Sequence, residues 1–252
     1  MTTLVVDSKH LGPPESVWRS TAPLNALRSL GPLVGRRLVI VAPHPDDEVF
    51  GAGGLLQSAL ALRMPVALLA VTDGEASHPR AAMEQSLDVR SIRVGESQRA
   101  LARLGWTQPD VTRMGLPDGH VSEFQHQLVD ALSDLLRDGD VCVAPWVRDG
   151  HPDHDACGRA ARSATGMRNV RLLEYLVWAW HWADPHGEDI PWRSCRRLEL
   201  SRRMAARKRW ATGVYVSQTS TGGIDRGEAV LPSQILRRFW RPFEVFITTG
   251  GV

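Results

Sequence analysis

The chain has 252 residues, 43% hydrophobic and 23% charged, proportions that exclude a disordered chain, a collagen-like repeat or a coiled coil. Thirty basic against 28 acidic residues leave a net charge of +2, spread without long blocks, which does not suggest a nucleic-acid or polyanion binder. Three cysteines at scattered spacings, Cys142, Cys157 and Cys195, support neither a disulfide framework nor a thiolate zinc site, so a reducing cytoplasmic compartment is expected.

Residues 1–35 read as an amino-terminal extension without an uninterrupted apolar run, so no signal peptide is expected. Leu4 to Val6 could add an edge strand, and Pro23 argues against one continuous helix. Strands are then expected at 37–42, 65–71, 111–116 and 140–144, and helices at 51–63, 87–104, 121–136 and 155–165. The apolar stretch 55–71 is interrupted by Gln57, Arg63 and Pro65, and no membrane span is expected. Beyond these come a strand within 172–180, a basic helix near 202–210, turns near Gly222 and a final strand at 244–248. Strand followed by helix, four times over, predicts an α/β fold with a mostly parallel sheet covered on both faces. With no repeat or linker, residues 1–252 read as a single domain whose core begins near residue 36.

In such sheets ligands sit beyond the carboxyl ends of the strands, and the chemically dense segments fall there. Ala42-Pro-His-Pro-Asp-Asp-Glu48 follows the first strand, and Gly150-His-Pro-Asp-His154 follows the fourth. His44 and Asp47 lie three apart in a turn, and His154 can join them. Imidazole nitrogen and carboxylate oxygen suit zinc, which takes three protein ligands at a catalytic site and leaves a position for water. Asp46, His151 and Asp153 remain for proton work. Either segment alone is more simply a turn or a helix cap; two His-Pro-Asp turns after two buried strands favour metal chemistry. Gly51-Ala-Gly-Gly54 lacks dinucleotide-binding spacing and reads as close helix–strand packing. No G-x-S-x-G elbow occurs, and Cys142, inside an apolar strand, reads as core.

These segments resemble the PIG-L/LmbE-like family of zinc-dependent N-acetylglucosaminyl deacetylases. His44-Pro-Asp-Asp-Glu48 and His151-Pro-Asp-His154 match its two motifs, with Pro43 where the first motif has Ala. Thr72-Asp-Gly-Glu75, Arg93-x-x-Glu96, Leu116-Pro-Asp-Gly119 and Ser217-Gln218 match in order between and beyond them. Trp178-Ala-Trp-His-Trp182 is similar to a subgroup of bacterial members. The resemblance implies a Rossmann-like three-layer fold and one Zn2+ per chain, held by His44, Asp47 and His154. It further implies Asp46 as the base that activates water, and His151, held by Asp153, as the group that stabilises the oxyanion and protonates the amine. The implied reaction is removal of an N-acetyl group from an amino sugar or glycoside. Two departures bear on the substrate: Tyr215 stands where many members have His, and the segment 147–150 lacks a Tyr that some sugar deacetylases place there.

Arg80, Arg93, Asp118 and Trp180 are the substrate-binding candidates, with Trp178 and Trp182 on the same face as Trp180 if the segment stays extended. His78 and His120 read as surface residues near the site edge, and His181 as a rival metal ligand ranked below His154. The expected partner is a small N-acetylated sugar or glycoconjugate; a second copy of the chain stays open. The alternatives are an amidase acting on a larger acyl amide, such as a thiol conjugate or natural product, and a non-catalytic carbohydrate-binding relative.

Overall fold

The computed structural model describes residues 12–78, 88–220 and 229–248. Among them, eight strands form one sheet: β1 Arg28–Ser29, β2 Leu38–Ala42, β3 Val66–Ala70, β4 Asp110–Arg113, β5 Val141–Pro145, β6 Arg171–Tyr175, β7 Cys195–Glu199 and β8 Phe243–Thr248. Their order is β1-β7-β8-β6-β5-β2-β3-β4. β4, β3, β2, β5 and β6 run parallel to one another, β8 is antiparallel to both its neighbours, and β1 is parallel to β7.

The helices are α1 Glu15–Ser20, α2 Ala22–Asn25, α3 Asp47–Phe50, α4 Gly53–Ala61, α5 Val89–Leu104, α6 Gln125–Leu135, α7 Pro152–Gly166, α8 Ala179–Trp182, α9 Arg202–Thr212, α10 Val216–Thr219 and α11 Ser233–Leu236. β2, β3 and β5 are buried along their whole length, as strands covered on both faces must be. Alternation along β2 feeds two cores. Leu38, Ile40 and Ala42 join the α4 and α5 side, while Val39 and Val41 join the α6 and α7 side. The sheet is therefore mostly parallel with helices on both faces, as expected.

The structure departs from the sequence reading in three places. The strand expected within 172–180 ends at Tyr175, and the chain turns into α8, so the three tryptophans do not alternate along one face. β7 and β1 were not anticipated. The extension before residue 36 is integral to the domain: Trp18 is fully buried and β1 pairs with β7. Leu4 to Val6 and the turns near Gly222 lie outside the described residues.

Gly54 explains the glycines of the first motif region. A Cβ there would stand 2.4 Å from Leu200 Cδ2 and 2.9 Å from the Glu244 carboxyl carbon. Glu244, from β8, accepts the otherwise orphaned N–H groups of Gly54 (2.6 Å) and Leu55 (2.9 Å) at the start of α4. Lys208 Nζ meets the same carboxylate at 2.5 Å and donates to Phe50 O at 2.8 Å, which joins α9 to the site-bearing segment.

Candidate active site

Both His-Pro-Asp turns leave the carboxyl ends of adjacent strands, β2 and β5, and meet. The loop after β2 presents His44 and Asp46 and starts α3 with Asp47; the loop after β5 presents Asp149 and His151 and starts α7, with His154 in its first turn. The helix begins at Pro152, three residues earlier than expected. Pro at the first helical position supplies the right φ and lacks an N–H that would be unsatisfied there.

Asp47 Oδ2 lies 3.3 Å from His44 Nδ1 and 3.2 Å from His154 Nε2, so the three expected ligands meet at one carboxylate oxygen. Burial opposes ionisation of Asp47, but His154 and His44 hold its carboxyl far below the usual range. Burial likewise opposes the charged form of His154, yet Asp47 and Asp149 push that ring up to about 9. His154 Nε2 is buried without a hydrogen bond of good geometry. An unsatisfied imidazole nitrogen facing a carboxylate and a second imidazole is the environment a divalent cation would complete, and the donor set suits zinc. His44, His151 and His154 also present nitrogens within 4.8 Å of one another.

Each imidazole is oriented from behind. His154 Nδ1 donates to Asp149 Oδ2 at 2.8 Å, and Asp149, fully buried, also accepts the N–H groups of Val177, Trp178 and Ala179. His44 Nε2 faces Asp118 Oδ1 at 3.1 Å and Asp153 Oδ2 at 3.2 Å, which leaves Nδ1 for a metal. Burial opposes protonation of His44, but these carboxylates and Asp47 raise it well above its ordinary value. Asp149 escaped the sequence reading; its only signal was an acidic residue two positions before His151.

The carboxylate of Asp153 therefore serves His44, together with the N–H groups of Gly119 (2.7 Å) and Val121 (3.1 Å), rather than His151. Only the main-chain N–H of Asp153 meets His151, donating to Nδ1 at 3.2 Å. That assignment places the proton of a neutral His151 on Nε2. Burial, then the positive neighbours His44 and His154, push this ring down to about 3.

Asp46 is fixed by Arg93, whose Nη2 lies 3.0 Å from Oδ2, and its N–H donates to Glu48 Oε2 at 2.9 Å. Burial raises the Asp46 carboxyl to about 6 against the pull of Arg93. Arg93 also donates to Gly74 O at 3.0 Å. Gly74 has φ +72°, and a Cβ there would fall 2.2 Å from Arg93 Nη1, so both backbone and space demand glycine. Arg93, expected to bind substrate, lines the cavity over the site while holding Asp46 and the main chain.

A cavity of about 390 Å³ opens over these groups, floored by His44, Asp46, Asp118 and His151 and walled by Phe50, Val177, Trp178, Val230 and Leu231. Asp118 lies at this cavity as expected. Trp180 does not: α8 turns it into the core, 5.1 Å from the Trp18 ring and under the Arg241 guanidinium. Trp178 takes the place at the cavity, with its ring 5.5 Å from that of His151. His181 pairs with Arg238, away from the metal candidates. His78 is buried against Ser217 O, not at the surface, whereas His120 is exposed beside Glu123. Tyr215 lies beneath the site and donates to Glu48 Oε1 at 3.0 Å. Arg80 falls outside the described residues.

The sequence profile of the family described as "PIG-L: GlcNAc-PI de-N-acetylase" matches residues 39–165, just over half of the chain. The chain is 29% identical over 131 residues to a probable N-acetyl-alpha-D-glucosaminyl L-malate deacetylase 2 of Bacillus subtilis (strain 168), covering 49% of this chain and 58% of that protein. It is 30% identical over 151 residues to 1D-myo-inositol 2-acetamido-2-deoxy-alpha-D-glucopyranoside deacetylase 1 of Saccharopolyspora erythraea, covering 47% of this chain and 50% of that one. The match thus spans little more than half the length of these relatives. The fold is similar to that of N,N'-diacetylchitobiose deacetylase from Pyrococcus horikoshii, with a TM-score of 0.60, 18% identity and coverage of 85% of this chain and 84% of that one.

Proposed function

The chain belongs to the PIG-L family of GlcNAc-PI de-N-acetylases, and from that membership we propose that it is a metal-dependent hydrolase removing an acetyl group from an N-acetylated amino sugar or its conjugate. The observation that carries this reading is the meeting of His44, Asp47 and His154 at one carboxylate oxygen beside Asp46 and at the floor of a cavity. A divalent cation, zinc by the donor set, would be held by those three residues and would supply Lewis acidity for the acetyl carbonyl and for water.

The chain's own groups do the rest. Asp46 takes the proton of the attacking water, its second oxygen pinned by Arg93. His151, neutral at pH 7, donates Nε2–H to the oxygen on which negative charge develops. The proton that Asp46 has taken is passed on to the departing nitrogen, by Asp46 itself or through His151. Acetate and a free amine result. The presence of both Asp46 and His151 at the cavity beside the candidate ligands supports an active enzyme over a catalytically silent relative.

One observation favours a second reading within the same chemistry. The wall of Phe50, Val177, Trp178, Val230 and Leu231 is apolar and suits a longer acyl chain or a hydrophobic aglycone. Amine release from N-acetylglucosamine conjugates and longer-chain amides, with metal content measured in parallel, separates the two. Activity on neither panel by metal-loaded protein would overturn both.

Asp153→Asn is expected to weaken metal binding by about 10–100-fold, since it removes an acceptor from His44; competition with a chromophoric chelator measures it. No helix among the described residues is long and apolar enough to cross a membrane. Cys142, Cys157 and Cys195 are buried free thiols, which supports assignment to a reducing cytoplasm.

A further inference from the structure

A second cavity, of about 590 Å³, shares no lining residue with the first. Charge that is evenly spread in sequence is gathered here in space: Arg19, Arg197, Arg209, Arg237 and Arg241 line it with a single carboxylate, Glu15. Glu15 is already spent on Arg241, meeting Nε at 2.9 Å and Nη2 at 2.7 Å. The exposed guanidiniums of Arg19, Arg209 and Arg237 donate no hydrogen bond to any described residue. Arg197 lies 3.8 Å over the Phe243 ring with Nε on Glu199 at 2.5 Å, and Arg209 lies 4.5 Å over Trp240 with its donors left for a ligand. Like charges crowd one another. Burial, then Arg241, pushes the neighbouring Arg238 down to about 10, and Arg19 works in the same direction on Arg241.

We propose that this cavity is an anion site that takes a phosphoryl group carried on a small molecule. Several guanidinium forks around one concavity match a tetrahedral dianion, which accepts from more than one fork at once and brings more negative charge to them than a monocarboxylate does. The aromatic faces are already covered by Arg197 and Arg209, so recognition rests on charge and hydrogen bonding rather than on stacking of a ligand ring.

The test is calorimetric titration of the metal-loaded full chain with inorganic phosphate and, separately, with glucose 6-phosphate, at an ionic strength of about 0.15 M where diffuse attraction is screened. One saturable site per chain is expected for at least one of them. Tighter binding of the ester identifies a phosphorylated metabolite, and tighter binding of phosphate identifies the free ion. The double variant Arg19→Gln/Arg237→Gln, altered only at exposed positions, is expected to bind about tenfold or more weakly, with melting temperature, metal content and amide hydrolysis unchanged. Absence of saturable binding, or equal affinity in the variant, would overturn the proposal; the second result would locate the anion at the metal instead.

Discussion

Asp46→Asn is expected to lower kcat by about 10²- to 10⁴-fold, the usual worth of a positioned base, while metal stays bound at one per chain. The amide preserves volume and can still face Arg93, so KM should move little. Activity that survives this change would remove Asp46 from the mechanism, and loss of metal would make it a ligand. The same carboxylate sets the acid limb of the pH profile. A base must be ionised to work, so with the group raised to about 6 by burial, kcat should fall as pH drops through that value. A cation on adjacent Asp47 favours the ionised form and moves the midpoint lower, which makes about 6 its upper end. Profiles measured on wild type and on Arg93→Gln separate the two influences. Loss of the guanidinium should move the limb upward, whereas a merely packing role for Arg93 would leave it in place.

The second large effect is on stability. Glu244→Ala should cost about 3–5 kcal/mol in urea unfolding, because it leaves the Lys208 ammonium buried without its partner. It also releases the two N–H groups at the start of α4 that Glu244 now accepts. Lys208→Met should cost clearly less, since the carboxylate keeps both N–H groups and the thioether fills the space of the aliphatic stem. Equal losses from the two substitutions would show that the buried charge pair, not capping of α4, governs the effect.

What was legible in the sequence was local. The buried strands β2, β3 and β5 announce themselves as apolar β-branched runs, and the site loops lie directly after β2 and β5, so the metal candidates could be named from spacing. What was not legible depends on tertiary partners. Asp149 orients His154 only because Val177, Trp178 and Ala179 fold back onto it. Arg93 stands at the cavity as a substrate arginine would, but its hold on Asp46 and Gly74 could not be read from spacing. Trp180 was misplaced because a period of two was carried past Tyr175, where the backbone turns helical and sends the indole into the core. β7, Cys-Arg-Arg-Leu-Glu, hides its strand character under charged side chains, which are tolerated because it is only partly covered.

The position of β8 bears on the order in which the molecule can assemble. The parallel run from β4 to β6 is complete once residue 175 has left the ribosome, and its strands are joined by short-range crossovers. β7, and β1 through it, reach that sheet only by way of β8, whose residues 243–248 are made after those of every other described strand. Arg28 thus waits for a partner at Arg196 that is itself anchored by Phe246. The amino-terminal helices complete their docking late, since Glu15 pairs with Arg241, a high-contact-order closure that is intrinsically slow. Nascent chains halted before β8 should carry a finished parallel half and unpaired β1 and β7, the species on which a chaperone would act.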